Sequence, residues 1–112
     1  MQTMTDKELL ELAAKAAGYD ETRVCIDDWF WVLNDTDDWT PWNPLADDGD
    51  ALRLAVKLGF KVNVLTTRME PFTRVRQHEV GTIFEEEHRD DAAKATRRAI
   101  VRAAAEIGKK KP

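Results

Sequence analysis

Serine is missing from this sequence altogether, and cysteine occurs once, at Cys25. A single cysteine excludes an internal disulfide, and no Cys/His cluster has the spacing of a zinc site. A reducing compartment is expected. With no serine, and with Cys25 set between Val24 and Ile26, no side chain occupies a recognisable nucleophile context. His78 and His88 are too few and too far apart to argue for a triad. Glycine is sparse, at five residues, and forms no phosphate-cradling loop. No apolar run approaches the ~20 residues that span a bilayer. The opening "MQTMTDKELLEL" is charged, unlike the apolar core of a signal peptide. These gaps argue against an enzyme, a metalloprotein and a membrane protein, and no catalytic residue, metal ligand or cofactor is assigned.

The 112 residues suit one domain, with an ordered core over about 5–107 and a basic tail over 108–112. A chain this long buries roughly 65% of its unfolded surface and needs no staple. At 43% hydrophobic and 34% charged it is globular in composition. The net charge of −4 hides an asymmetry. Residues 20–50 carry ten acids against Arg23 alone, net −9, and residues 88–112 carry eight bases against three acids, net +5. Such polarity steers partners, or lets two copies associate, and a homo-oligomer is expected. Duplex DNA is excluded as a partner because the chain as a whole is repelled by phosphates.

Thr5 to Glu8 reads as a capping box opening a first helix, about Asp6 to Ala17, stopped by Gly18. Alternation over residues 23–33 reads as strand, with a break at Asp27-Asp28 that suggests a turn between two strands. Residues 34–46 are polar and Pro-bearing and read as loop. Asp47 caps a second helix whose apolar stripe is Leu52, Ala55, Val56 and Leu58, widened by Ala51 and Leu54, and Gly59 ends it. Residues 60–67 read as a strand. "FTRVRQHEV" and "GTIFEEEH" read as a hairpin closing near Val80-Gly81. Asp90 or Asp91 then caps a long helix to about Ile107. The order α-β-β-α-β-β-β-α predicts an α+β layered sandwich, with a mainly antiparallel sheet packed by helices.

On the last helix Ala92, Thr96, Ala99, Ile100, Ala103 and Ile107 gather on one side. Lys94, Arg98 and Arg102, with Arg97 at the edge, form a basic stripe on the other. That stripe is either a solvated face or a site for an anion such as a nucleotide phosphate. Asp47, Asp48 and Asp50 fit helix capping better than a calcium loop, which needs ligands in another register.

All four tryptophans and five aspartates fall in "DDWFWVLNDTDDWTPWNP", residues 27–44. Trp29 and Trp31 share one face of a strand, Phe30 and Val32 the other. Such a strand is expected to be covered on both faces. Trp31 and Trp42 are expected in core or loop-anchoring roles. Trp39, between Asp38 and Thr40, lacks that structural reason and stands as a contact residue.

"MTDKELLELAAKAAGY", "WNPLADDGDALRLAVKLGF" and "ATRRAIVRAAAEIGK", about half of the chain, resemble the phage ABA sandwich domain family, small accessory proteins of tailed phages and prophages. The resemblance implies an α/β sandwich made in the bacterial host cytoplasm. It carries over to Trp42, Asn43, Pro44, Asp47, Asp48, Asp50, Arg53, Arg97 and Arg98, and implies no activity. Together these readings predict a non-enzymatic accessory protein that binds and modulates a host protein factor, for example a defence component. Its contact residues are Trp39, Asp35, Asp37, Asp38 and Trp29, directed at a basic protein surface. Two alternatives stay open: nucleotide sequestration through Arg97, Arg98 and Arg102, and a structural or assembly role.

Overall fold

Capping chemistry sets the helix boundaries. In the computed structural model, which describes residues 4–66, 69–77 and 83–111, α1 spans Asp6–Ala16 and Thr5 accepts the backbone N–H of Glu8. The capping box closes differently from expectation: the Thr5 hydroxyl donates to the Glu8 carboxylate at 3.1 Å. Asp47 caps α2 (Asp48–Leu58) and Gly59 ends it in the left-handed region at φ 68°. Asp91 caps α3 (Ala92–Lys110) by accepting the N–H of Lys94. Each cap satisfies a backbone donor that the helix leaves without a partner.

Among the described residues six strands form two antiparallel three-stranded sheets. After a 3-10 turn at Glu21–Arg23 come β1 (Val24–Ile26), β2 (Phe30–Leu33) and β3 (Trp39–Pro41), paired in that order. The second sheet pairs β4 (Phe60–Leu65), β5 (Phe72–Gln77) and β6 (Ile83–Glu87). The expected α+β class holds. Residues 34–46, however, are not all loop, because β3 lies within them. The expected hairpin closure at Val80-Gly81 lies outside the described residues.

Helix α3 is the central element, packing against α1, α2 and all three strands of the second sheet. Its alanines (Ala95, Ala99, Ala103, Ala104 and Ala105) are buried, and their small side chains allow close approach from several sides. The helix does not end near Ile107 but continues to Lys110. Gly108 is buried against α1, where a Cβ would meet the Leu12 carbonyl oxygen at 2.0 Å. Lys15 Nζ donates to the Lys111 carbonyl at 3.0 Å, and Lys111 Nζ to the carbonyls of Lys15 and Ala16. Residues 108–111 therefore close the α1–α3 contact and do not hang free as a basic tail.

Helix α2 also differs from expectation. Ala51, Leu54 and Ala55 are buried, whereas Leu52 is 64% and Val56 72% exposed. The apolar residues circle more than half of this helix, and only the arc facing the core is covered.

Candidate functional site

The first sheet has two unlike faces. Phe30 and Val32 point inward and are buried, together with Trp42, whose ring lies 5.6 Å from that of Phe30 and 6.2 Å from that of Tyr19. Trp42 N–H donates to the Phe30 carbonyl, which ties the chain after β3 to β2. The expected core role of Trp42 is thus what the structure shows. Alternation then places Cys25, Trp31 and Pro41 in one cross-strand row on the outer face, with Leu33 and Trp39 in the next.

Nothing among the described residues covers that outer face. Trp31 and Leu33 are half-buried, Cys25 and Pro41 are exposed, and Trp39 is 47% exposed. Trp29, in the β1–β2 turn, is 67% exposed. The expectation of cover on both faces of the Trp-bearing strand is corrected, since only the Phe30/Val32 face is closed. An isolated exposed Trp is unremarkable, but several apolar side chains in register on one small sheet make a patch.

Acid stands at both ends of this patch. At one end Asp27 organises the turn, accepting the Trp29 N–H at 2.9 Å and the Trp31 indole N–H at 3.0 Å. Those two donors hold the Asp27 carboxyl below the usual aspartate range. The indole bond also fixes the ring of Trp31 on the outer face. At the other end Asn34 builds the β2–β3 turn, its side-chain oxygen accepting the N–H groups of Thr36 and Asp38. Asp37 adopts φ 61° there, a left-handed conformation that aspartate tolerates better than most residues. Asp35, Asp37 and Asp38 are exposed on this turn.

No base holds these carboxylates among the described residues. Arg23, the one base among residues 20–50, donates to the carbonyls of Leu33 and Asn34. Among the described residues no acid from Asp20 to Asp38 forms an ion pair.

The arginines of α3 are engaged within the fold. Arg97 donates to the Leu45 carbonyl at 2.8 Å and to Asp48 at 2.6 Å. Arg98 lies 3.4 Å from Asp6 and 3.9 Å from Glu86. Arg102 pairs with Glu86 and stands over the Phe84 ring. The stripe thus joins α3 to α2, α1 and β6, and an incoming phosphate would have to displace those carboxylates. No hydrogen bond, ion pair or ring contact joins these arginines to Trp29 or Trp39 among the described residues. The tryptophans and acids are brought together, and the arginines belong elsewhere.

The residues that carried the family resemblance, Arg98 apart, also converge around the start of α2. Asp50 accepts the Asn43 N–H at 2.9 Å and pairs with Arg53 at 2.7 Å. Asp47 caps the helix, Asp48 holds Arg97, and Pro44 and Trp42 are buried. The geometry is that of a joint between the first sheet, α2 and α3. Beside it, a cleft of about 290 Å³ lies between the inner sheet face and α2, lined by Tyr19, Thr40, Trp42 and Lys57 among others.

One polar network had no signal in the sequence. His88 is buried, its Nε2 lies 2.7 Å from the Thr73 hydroxyl, and that hydroxyl lies 2.7 Å from the Thr96 hydroxyl. Thr96 in turn donates to the Ala92 carbonyl. Since a carbonyl only accepts, the proton order is fixed: Thr73 donates to Thr96, and His88 Nε2–H donates to Thr73. Thr73 is fully buried, so the chain holds β5 to α3 and presents no hydroxyl to a substrate. His78 lies outside the described residues.

No protein-family model, curated protein or solved structure matches the chain. Among the described residues no three His, Cys, Asp or Glu side chains converge as metal ligands, and no helix is long and apolar enough to cross a membrane.

Proposed function

We propose that this protein is a non-enzymatic binding module, and that the outer face of the first sheet docks onto a basic surface of another protein. One observation carries the reading: an uncovered sheet face bearing Trp31 and Trp39, flanked at both ends by carboxylates that no base pairs with among the described residues. Interface anchors are enriched in Trp, and an acid rim selects a basic partner and speeds its approach. The resemblance to the phage ABA sandwich domain family supports a bacterial host cytoplasm as the setting and a host factor, such as a defence component, as the partner. Modulation follows from occlusion, because a basic surface covered by this face is no longer open to nucleic acid.

The test is native mass spectrometry of tagged protein recovered from phage-infected cells, with three variants alongside. A host polypeptide bound to wild type and to Arg98→Ala, but lost from Trp39→Ala at unchanged melting temperature, is the expected result. Trp42→Ala serves as the folding control and should cost about 3–5 kcal/mol, as buried aromatic truncations do. Binding that survives Trp39→Ala in a folded protein would refute the assignment of this face.

A further inference from the structure

The four sheet edges of this fold are unequally protected. Strand β1 is three residues long, and β3 is equally short and carries Pro41, which has no N–H to offer. Strand β6 bears Glu85, Glu86 and Glu87, and its Glu85 carbonyl accepts from Arg102 at 3.4 Å. Short length, proline and charge are the usual means by which an edge is kept from pairing. Strand β4 has neither the short length nor a proline, and little charge. It runs six residues, "FKVNVL", with Lys61 as its one charge. No backbone hydrogen bond outside its ladder with β5 reaches residues 60–65 among the described residues.

The core covers this strand only in part, through Phe60 and Val62. Val62 and Val64 stand opposite Val75 and Thr73, which are fully buried, and so share their inward face. Yet no β4 residue is itself buried, and Val64 is 47% exposed. The helix that leads into β4 adds exposed Leu52 and Val56.

We infer that β4 pairs with β4 of a second copy of this chain, antiparallel across a two-fold axis at Val62, joining two second sheets into one of six strands. This register sets Phe60 opposite Val64 of the other copy, so each inward apolar row is continued by its equivalent. It also sets Lys61 opposite Asn63. Moving the axis to Lys61 would oppose two lysines, which is unfavourable for cross-strand neighbours. The occupant is a second copy because β4 matches its own apolar pattern and, in this register, opposes no like charges, as an isologous contact requires.

Light scattering coupled to size exclusion, run over a concentration series, should give twice the 12.8 kDa mass of the chain. Val64→Lys should return the mass to that of one chain with an unchanged far-UV spectrum. In a Cys25→Ala background, Val62→Cys should form an intermolecular disulfide on mild oxidation. Opposed residues in an antiparallel pair sit about 4.5–5.5 Å apart at Cα, within disulfide reach. A chain that is monomeric at every concentration overturns the inference. So does a dimer that survives Val64→Lys, or one that Val62→Cys fails to cross-link.

Discussion

Replacing Gly108 by alanine tests whether the end of α3 is core or tail. In an open helix this change stabilises by about 0.5–1 kcal/mol, because glycine has more backbone entropy to lose. At Gly108 the added Cβ would fall 2.0 Å from the Leu12 carbonyl oxygen and 2.7 Å from its carbon. Real contacts of this kind stay beyond 3.0 Å, so α1 and α3 must separate by at least about 1 Å, the difference from 2.0 Å. The obstacle is helix backbone, which cannot rotate aside. A gap of that size forfeits roughly a quarter to a half of each contact's dispersion energy. The contacts at risk include Ala13, Ala104 and Ala105, all fully buried. With backbone as the obstacle the upper part of the ~1–3 kcal/mol overpacking range applies, about 2–3 kcal/mol, and the propensity gain leaves a net loss of about 1–2.5 kcal/mol. At about 4 °C per kcal/mol for a domain near this size, the melting midpoint should fall by about 4–10 °C. Gly49→Ala is the milder comparison, because its Cβ would meet side-chain atoms of Arg53 and Asp47 at 3.2 Å and no backbone. Thermal melts by circular dichroism would show one variant falling and the other holding. A Gly108→Ala protein as stable as wild type would refute the packed α1–α3 end and restore the free tail.

Two further outcomes follow from hydrogen bonds at the edges of the argument. The Asp27 carboxyl should titrate below its ordinary 3.8, and the Trp31 indole N–H resonance should move with the same midpoint. Because the folded value is depressed, the charged form's contribution is present above the unfolded value of about 3.9 and fades as pH falls through the folded one. A midpoint at or above 3.8 would remove Asp27 as the organiser of that turn. For His88, nitrogen-15 NMR should find a proton on Nε2, and Thr73→Val should destabilise by about 1–3 kcal/mol by stranding a buried donor. A ring with no proton on Nε2 would break the assigned proton order.

What could be read in advance was chemistry that acts over three or four residues. Thr5 and Asp47 announce helix starts through their own side chains, the Asp90-Asp91 pair announces another without saying which residue caps it, and Gly59 announces a stop. Strand β3 was not legible, because its hairpin is specified by the Asn34 side chain bonding backbone across the turn and not by alternation. The exposure of Leu52 and Val56 was hidden for another reason. A helix apolar over more than half its circumference does not say which arc faces the core. The basic stripe on α3 was visible, but its partners were not. Asp48 and Asp6 lie 49 and 92 positions from Arg97 and Arg98, and no local pattern links them. Trp39 stood out through composition alone. That it shares a face with Trp31, Leu33 and Pro41 needed the register of three strands.

The charge asymmetry of the sequence changes meaning once the pairs are known. Acidic lobe against basic lobe is the self-association that composition suggests, yet it would draw on arginines that Asp48, Asp6 and Glu86 already hold. Among the described residues the acids of the first sheet have no such partners. The two proposals therefore put a foreign basic surface and a second copy at different places, the first on the outer face of the first sheet and the second on β4. The two proposals are compatible for this reason: pairing through β4 uses only the second sheet of each copy. A dimer so formed carries two acid-rimmed aromatic faces. Against a partner that is itself repeated, such as an oligomer or a polymer-bound array, bivalent display raises apparent affinity by about 10²–10⁴ when both faces can engage. On that reasoning Val64→Lys, which leaves Trp39 and the aspartates untouched, should weaken capture of a repeated partner while leaving the affinity for a single partner molecule unchanged.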